Sequence, residues 1–242
     1  LAKKSLQSEK RRNLMVVIAV ALASCLICFS IVMALSTRQI EKNHVEDTYE
    51  AVYTRITEED VSTLKGLDDF SRVGEYYMLA VEPAKQGYNA SYIYCDEETM
   101  YIARDQMKLL EGRLPQKEDE VAVSRYFLSN YGADAGIGEK VMLNSESFHG
   151  EYTVTGILEG YKEKEVNGSS ILLSKEALKG WSGYDPADYR AYVHFKNEQQ
   201  MDETELTARS REIAKEYQLE MPIMNLSYMK FYKQPVNVSM LA

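Results

Sequence analysis

An apolar run without charged residues or proline begins at Leu14 and ends at Leu35. At about 1.5 Å per residue, a helix of this length spans roughly 33 Å, enough to cross the hydrocarbon core of a bilayer. A signal peptide also has a basic start and an apolar middle, but its apolar part is usually about 7–15 residues long. In addition, Arg38 and Lys42 follow the run closely and make a poor cleavage site. The sequence therefore predicts a retained transmembrane helix over residues 14–35.

The charges on either side of this helix predict its orientation. Residues 1–13 contain five lysines and arginines and one glutamate, a net charge of +4 in a chain whose total is −9. The residues that follow therefore carry −13. Because basic flanking segments stay in the cytoplasm, we predict a cytoplasmic segment at 1–13 and an extracytoplasmic part at 36–242. An acidic exported part also argues against binding to nucleic acid, which requires a basic face.

The three cysteines do not predict a disulfide framework. Cys25 and Cys28 have CxxC spacing but lie in the apolar run, and we interpret them as small residues that face lipid or another helix. Cys95 is the one cysteine of the exported part. We therefore expect that part to be stabilised by its own hydrophobic core.

Two strand–helix–strand patterns predict the main architecture of the exported part. In the first, a strand ending near Ile56 precedes a short helix that Thr57 and Asp60 begin as a capping box, and a strand follows at 72–82. The spacing of Ile40, Val45, Tyr49 and Val52 further suggests that the membrane helix continues outward as a stalk.

The second pattern lies near the end of the chain. A strand at 189–197 precedes an amphipathic helix at 201–218, with a further strand near 222–226. Two such units sharing one sheet predict a ferredoxin-like (split βαβ) lobe, formed by residues 36–104 and 187–242.

The sequence predicts an inserted lobe rich in β-strands in the middle of the exported part, at residues 105–186. Short strands at 151–160 and 169–173 are separated by turns. One turn, "GADAGIGE", contains Gly132, Gly136 and Gly138, which we interpret as turn glycines with positive φ. The predicted fold class is therefore α+β: one N-terminal transmembrane helix, then a ferredoxin-like lobe that a small β-rich lobe interrupts.

The sequence contains no pattern that predicts catalysis. It lacks a phosphate-binding loop of the G-x-x-x-x-G-K-[ST] type and a G-x-S-x-G nucleophile turn. His44, His149 and His194 have no metal-ligand spacing. We predict no catalytic residue, cofactor or metal, which favours a binding or mechanical role.

Tyrosines are frequent near the predicted strands. We expect most of these residues to pack across sheet faces, and a minority to line a groove for an apolar ligand or a partner protein. They are Tyr76, Tyr77, Tyr88, Tyr92, Tyr94 and Tyr101.

Three segments in a fixed order resemble a known family. They are "LLEGRLPQKEDEVAVS", "GIGEKVML" and "YTVTGILEG", all between Leu109 and Gly160. Together with the basic start and the first membrane helix, they resemble the FtsX/MacB-type ABC transporter permeases, which have an extracytoplasmic domain after their first helix. The motif residues are Gly112, Arg113, Pro115, Glu120, Gly136, Gly138 and Gly156.

The resemblance implies an architectural role for this motif. Gly112 and Pro115 would make a turn, nearby acids or carbonyls would hold Arg113, and Glu120 would open the strand that follows. Such permeases have at least four membrane helices, so the resemblance also implies that the chain is the N-terminal part of a longer protein continuing past Ala242.

The resemblance further implies a non-catalytic subunit in the plasma membrane of a bacterium. Its partners would be a separate ABC ATPase, a second permease half or copy, membrane lipid, and an extracytoplasmic protein, peptide or lipid substrate. The main alternative is a single-pass membrane-anchored binding or sensor domain without an ATPase partner. A third hypothesis, a membrane-anchored enzyme, predicts a buried histidine or acid in a cleft.

Overall fold

The apolar run lies within one long helix, α1, over Ala2–Val45. Its stretch Arg12–Val45 is long and apolar enough to cross a membrane, and none of its most apolar window is buried. The predicted outward continuation of the helix beyond Leu35 is confirmed as far as Val45, but the helix does not reach Tyr49 or Val52. The chain leaves the helix after Val45, Asp47 has a positive φ of 51°, and Val52 belongs to the first strand.

The structure is a computed structural model that describes residues 2–83, 88–104, 106–131, 135–160, 163 and 168–233. The chain divides into two units, Leu1–His44 and Val45–Ala242. The second unit is the domain considered below.

Over the residues that the structure describes, ten strands and several short helices form this domain. Its first half contains β1 (Ala51–Ile56), α2 (Glu58–Lys65), β2 (Phe70–Pro83), β3 (Asn89–Cys95), α3 (Glu97–Ile102), β4 (Met107–Gly112), β5 (Glu120–Ser124) and α4 (Arg125–Tyr131). Its second half contains β6 (Lys140–Asn144), β7 (His149–Gly160), β8 (Gly168–Leu173), α5 (Lys175–Gly180), β9 (Tyr189–Phe195), a 3-10 turn (Glu198–Gln200), α6 (Glu203–Glu216), β10 (Ile223–Met224), α7 (Leu226–Tyr228) and a π-helical turn (Met229–Lys233).

All ten strands belong to one mixed sheet. The strand order is β10-β1-β9-β2-β3-β8-β5-β7-β4, and β6 also pairs with β7. The β3–β8 and β5–β7 pairs are parallel, and the other pairs are antiparallel. The predicted mixture of helices and strands is therefore confirmed. The strands form one continuous sheet with β10 at one end of the strand order and β4 at the other.

Side chains on the two faces of this sheet form separate hydrophobic clusters. Along β5, Val121 and Val123 belong to the large cluster, whereas Ala122 belongs to a smaller one. This alternation follows from the two-residue period of a strand. Helices α2 and α6 bury Val61 and Leu206 in the large cluster.

Local helix signals agree with the structure. The capping box of Thr57 and Asp60 begins α2, and Asp202 begins α6 with a second capping box. The strands β3 and β4 and the helix α3 between them were not predicted. The predicted strand at 222–226 is shorter than expected, since β10 is limited to Ile223–Met224.

Candidate functional site

Arg113 and Glu120 form a bidentate ion pair beyond the end of β4. The Arg113 Nη1 and Nη2 atoms donate to Glu120 Oε2 and Oε1 at 2.8 and 2.7 Å. The same Oε2 accepts the backbone N–H groups of Gln116 and Lys117 at 2.9 and 3.2 Å. Glu120 is buried, and these donors, led by Arg113, lower the pKa of its carboxyl group from 4.5 to about 2. The pair therefore closes the loop between β4 and β5 around an ionised carboxylate.

Two glycines allow the backbone to pack closely beside this pair. Gly112 ends β4 with a φ of +81°, and a Cβ atom there would lie 2.2 Å from the Thr155 carbonyl oxygen. A Cβ atom on Gly156 would lie 2.6 Å from the Arg113 carbonyl oxygen. Pro115 is buried in the loop. The first glycine thus ends a strand, whereas the sequence placed it within a turn.

The other two glycines of the motif differ from each other. Gly138 has a φ of +86°, and its N–H donates at 2.8 Å to the carbonyl of Val154, which lies two residues before Gly156 in β7. Gly136 has no positive φ, and its N–H donates to Glu139 at 2.7 Å. The expectation of positive φ is therefore confirmed for Gly138 and wrong for Gly136. Gly132 lies outside the described residues.

A second polar site surrounds Glu50, which is fully buried just before β1. One of its oxygens lies 2.7 Å from His194 Nδ1, and the other accepts the Phe195 N–H at 2.8 Å. Nearby, Glu198 accepts the Tyr228 hydroxyl at 2.5 Å and the Lys233 ammonium group at 3.0 Å. We call Glu50, His194, Glu198, Tyr228 and Lys233 the Glu50–Glu198 cluster.

Burial and pairing change the ionisation of this cluster. Burial raises the pKa of the Glu50 carboxyl group, although His194 partly opposes the rise. Burial disfavours the charged imidazole of His194, but its hydrogen bond to Glu50 and the charge of Glu50 raise its pKa overall. Burial and the contact with Glu198 raise the pKa of Tyr228.

The remaining candidates for chemistry are isolated. Within the described ranges, no group of three or more His, Cys, Asp or Glu side chains is placed to hold a metal ion. His149 is exposed at the start of β7. Cys95 is buried and has a free thiol whose pKa burial raises, whereas Cys25 and Cys28 are exposed on α1.

The tyrosines occupy both kinds of position that the sequence suggested. Tyr77, Tyr88 and Tyr92 are buried. Tyr101 is 46 % exposed and lines a groove of about 430 Å³ beside β4. The guanidinium carbon of Arg72 lies 4.1 Å from the centre of the Tyr101 ring, so a cation stacks on this exposed aromatic residue.

The family model of the MacB-like periplasmic core domain matches residues 14–211 of the chain. The match begins in the apolar part of α1 and ends in α6. The chain belongs to this family. The resemblance to FtsX/MacB-type permeases is thereby confirmed, and together with α1 it makes the chain part of a membrane protein.

Solved structures are similar to this MacB-like domain, and the first one below shares its fold. The extracellular domain of the noncanonic ABC-type transporter YknZ from Gram-positive bacteria is 15 % identical, with a TM-score of 0.51, and the alignment covers 74 % of this chain and 100 % of that one. The periplasmic region of MacB from Actinobacillus actinomycetemcomitans is 12 % identical, with a TM-score of 0.48 and coverage of 76 % and 91 %. No curated protein sequence matches the chain.

The sequence motif of the MacB-like domain can be recognised from the sequence, whereas the buried Glu50–Glu198 cluster cannot. Gly112, Arg113 and Glu120 are close in sequence and also meet in space. Glu50 and His194 are 144 residues apart, and the sequence predicts a site at neither of them. The available signal is weak: an acid directly before a strand, and a histidine within a strand that is apolar apart from Arg190.

Proposed function

We propose that this chain is the N-terminal part of a permease subunit of an FtsX/MacB-type ABC transporter. The observation that carries the proposal is the family match, which includes both the apolar helix and the domain after it. In this proposal the domain lies outside the cytoplasm, engages a protein, peptide or lipid, and moves when a separate ATPase subunit hydrolyses ATP. The subunit itself catalyses no reaction.

The topology proposed for the subunit rests on its charges. Residues 1–13 are basic and would remain in the cytoplasm of a bacterium, residues 14–35 would cross the plasma membrane in contact with lipid, and the acidic remainder would be exported. A second permease half or copy would complete the transporter.

The strand order supports a ferredoxin-like lobe at residues 36–104 and 187–242. The antiparallel neighbours β10-β1-β9-β2 are linked by α2, between β1 and β2, and by α6, between β9 and β10. A split βαβ fold would have this arrangement. In this division, residues 105–186 form an inserted lobe that contains β4 to β8, and β3 pairs with both β2 and β8.

The Arg113–Glu120 pair would have an architectural role in this arrangement. It fixes the loop that leads from the edge strand β4 into the buried strand β5. The motif would therefore hold this loop in place without taking part in a reaction.

Purification of the full-length native protein tests the proposed function. The tagged protein is extracted from membranes of its host in a mild detergent, and co-purifying chains are identified by mass spectrometry. We expect a stoichiometric subunit with a phosphate-binding loop, and ATP hydrolysis by the complex. An untagged strain is the control. A protein that purifies without any ATPase would overturn the proposal and favour the single-pass binding or sensor domain.

A further inference from the structure

The Glu50–Glu198 cluster connects three segments of the domain that are far apart in sequence. Glu50 lies in the segment between α1 and β1, His194 lies in β9, and Tyr228 and Lys233 lie in the last described segment. The Asn225 N–H donates to the Glu50 carbonyl at 2.8 Å, so the first and last of these segments also meet through their backbones.

With Glu50 and Glu198 both ionised, the charges of this cluster balance only when its histidine is protonated. Glu50 and Glu198 supply two carboxylates, and their side chains are 0 % and 12 % exposed. The Lys233 side chain is 5 % exposed and supplies one positive charge. Because a buried charge needs a partner, the imidazolium form of His194 neutralises the second carboxylate, and the neutral form leaves it uncompensated.

Other charged groups near His194 and near the last described segment are already engaged. Arg72 is its neighbour on β2, but Arg72 donates to Glu98 at 2.7 Å. Arg104 donates to the Glu46 carbonyl and lies 3.8 Å from Asp47. The two acids Glu46 and Asp47 are exposed, so water solvates them. Glu50 and Glu198 are therefore the charges that control His194.

We propose that His194 is a proton-dependent latch between these three segments. With the imidazole protonated, the cluster holds the segment after α1, the end of β9 and the last described segment together. With the imidazole neutral, an uncompensated carboxylate loosens the contact. The latch is a property of the domain itself, whereas its use as a regulator of transport by external pH rests on the proposed function.

The direction of the pH dependence follows from the groups involved. His194 has a raised pKa in the fold, so its contribution is complete below its ordinary value of 6.5 and is lost as pH rises through the raised value. Glu50 enters the latch as the carboxylate partner of His194, and its contacts with His194 and the Phe195 N–H oppose the effect of burial on its pKa. The latch is closed on the acidic side and loosens at alkaline pH.

Hydrogen exchange of the full chain in mild detergent tests the latch. The reporter amides are those of Glu50, Phe195 and Asn225, whose N–H groups make the contacts between the segments. Exchange is compared at about pH 6 and about pH 8.5, after correction for the intrinsic effect of pH. We expect protection to fall at the higher pH by up to about tenfold for each unit of pKa shift, relative to the reference amides of β5.

Three variants separate the latch from general effects of pH. His194→Gln should remove the pH dependence of the reporter amides, and His149→Gln, which changes an exposed histidine, should retain it. Glu198→Gln leaves Lys233 to balance Glu50, so protection at alkaline pH should rise toward its acidic value. If His194→Gln does not fold, the exchange of the wild type at the two pH values and the exchange of Glu198→Gln still test the latch.

Two results would overturn the latch: reporter amides that change no more than the reference amides, or a His194→Gln variant with the full pH dependence. Either result would leave co-purification of an ATPase unaffected. Conversely, absence of an ATPase would overturn the transporter without changing the exchange data.

Discussion

Arg113 binds Glu120, seven residues further along the chain, through two hydrogen bonds to a buried carboxylate. The pKa of Glu120 is about 2 in the fold, against an ordinary value of 4.5. A group with a lowered folded pKa stabilises the fold above its ordinary pKa, and this stabilisation is lost as pH falls toward the folded value. The pair should therefore contribute to acid sensitivity between about pH 4.5 and about pH 2.

Replacement of Glu120 tests this contribution. Glu120→Gln should lower the melting temperature at neutral pH by at least a few degrees, because it removes the charge that Arg113 and two backbone amides bind. The difference from wild type should shrink in acid. Thermal unfolding followed by circular dichroism at several pH values measures both effects. Glu159→Gln is the control, since Glu159 is an exposed residue of β7. An equal acid response in Glu120→Gln and wild type would refute the assignment.

Substitutions of three glycines test the backbone around this pair, because each should destabilise the domain to a different degree. Gly112→Val should be the most destabilising, because the left-handed conformation alone costs about 1–2 kcal/mol and the new Cβ would meet the Thr155 carbonyl at 2.2 Å. Gly138→Ala should show the conformational cost without a clash, since nothing lies within 4 Å of its Cβ position. Gly136→Ala is the control and should stay within about 0.5 kcal/mol of wild type. Urea denaturation measures these free energies of unfolding, and a different order would contradict the structural explanation.

Features of the fold that depend on neighbouring residues could be predicted from the sequence. The Thr57–Asp60 capping box and the amphipathic α6 are signalled within a few residues, since one helical turn satisfies them. The motif from Gly112 to Glu120 is similarly local. Its family resemblance identified the segment, although the resemblance did not reveal that Glu120 binds Arg113 with both oxygens.

Features that depend on distant pairing could not be predicted. Strand β3 is held by β2 on one side and by β8 on the other, about 80 residues further along the chain. The Glu50–His194 contact joins residues 144 positions apart. Gly136 and Gly138 are both glycines of one turn. Only Gly138 donates a hydrogen bond to Val154 in β7 and has a positive φ.

Cys95 should report the unfolding of the domain. Its side chain is 3 % exposed, and burial raises the pKa of its thiol, so the reactive thiolate is disfavoured in the fold. In a Cys25→Ser/Cys28→Ser background, reaction of Cys95 with iodoacetamide should be at least about a hundredfold slower in native than in denatured protein. Mass spectrometry of the alkylated protein measures the rates. Rapid labelling under native conditions would show that the domain opens near β3 and would contradict the burial of this residue.

Cysteine labelling tests the proposed orientation of the chain. In a background without the three native cysteines, Ser227→Cys places a thiol at an exposed position of the domain, and Ser8→Cys places one in the basic N-terminal segment. The net charge of +4 before the apolar run and the acidic domain after it favour an N-terminus in the cytoplasm. A membrane-impermeant maleimide should therefore label Ser227→Cys on intact cells, and Ser8→Cys only after the membrane is permeabilised. The reverse pattern would place the domain in the cytoplasm and remove it from any extracytoplasmic substrate.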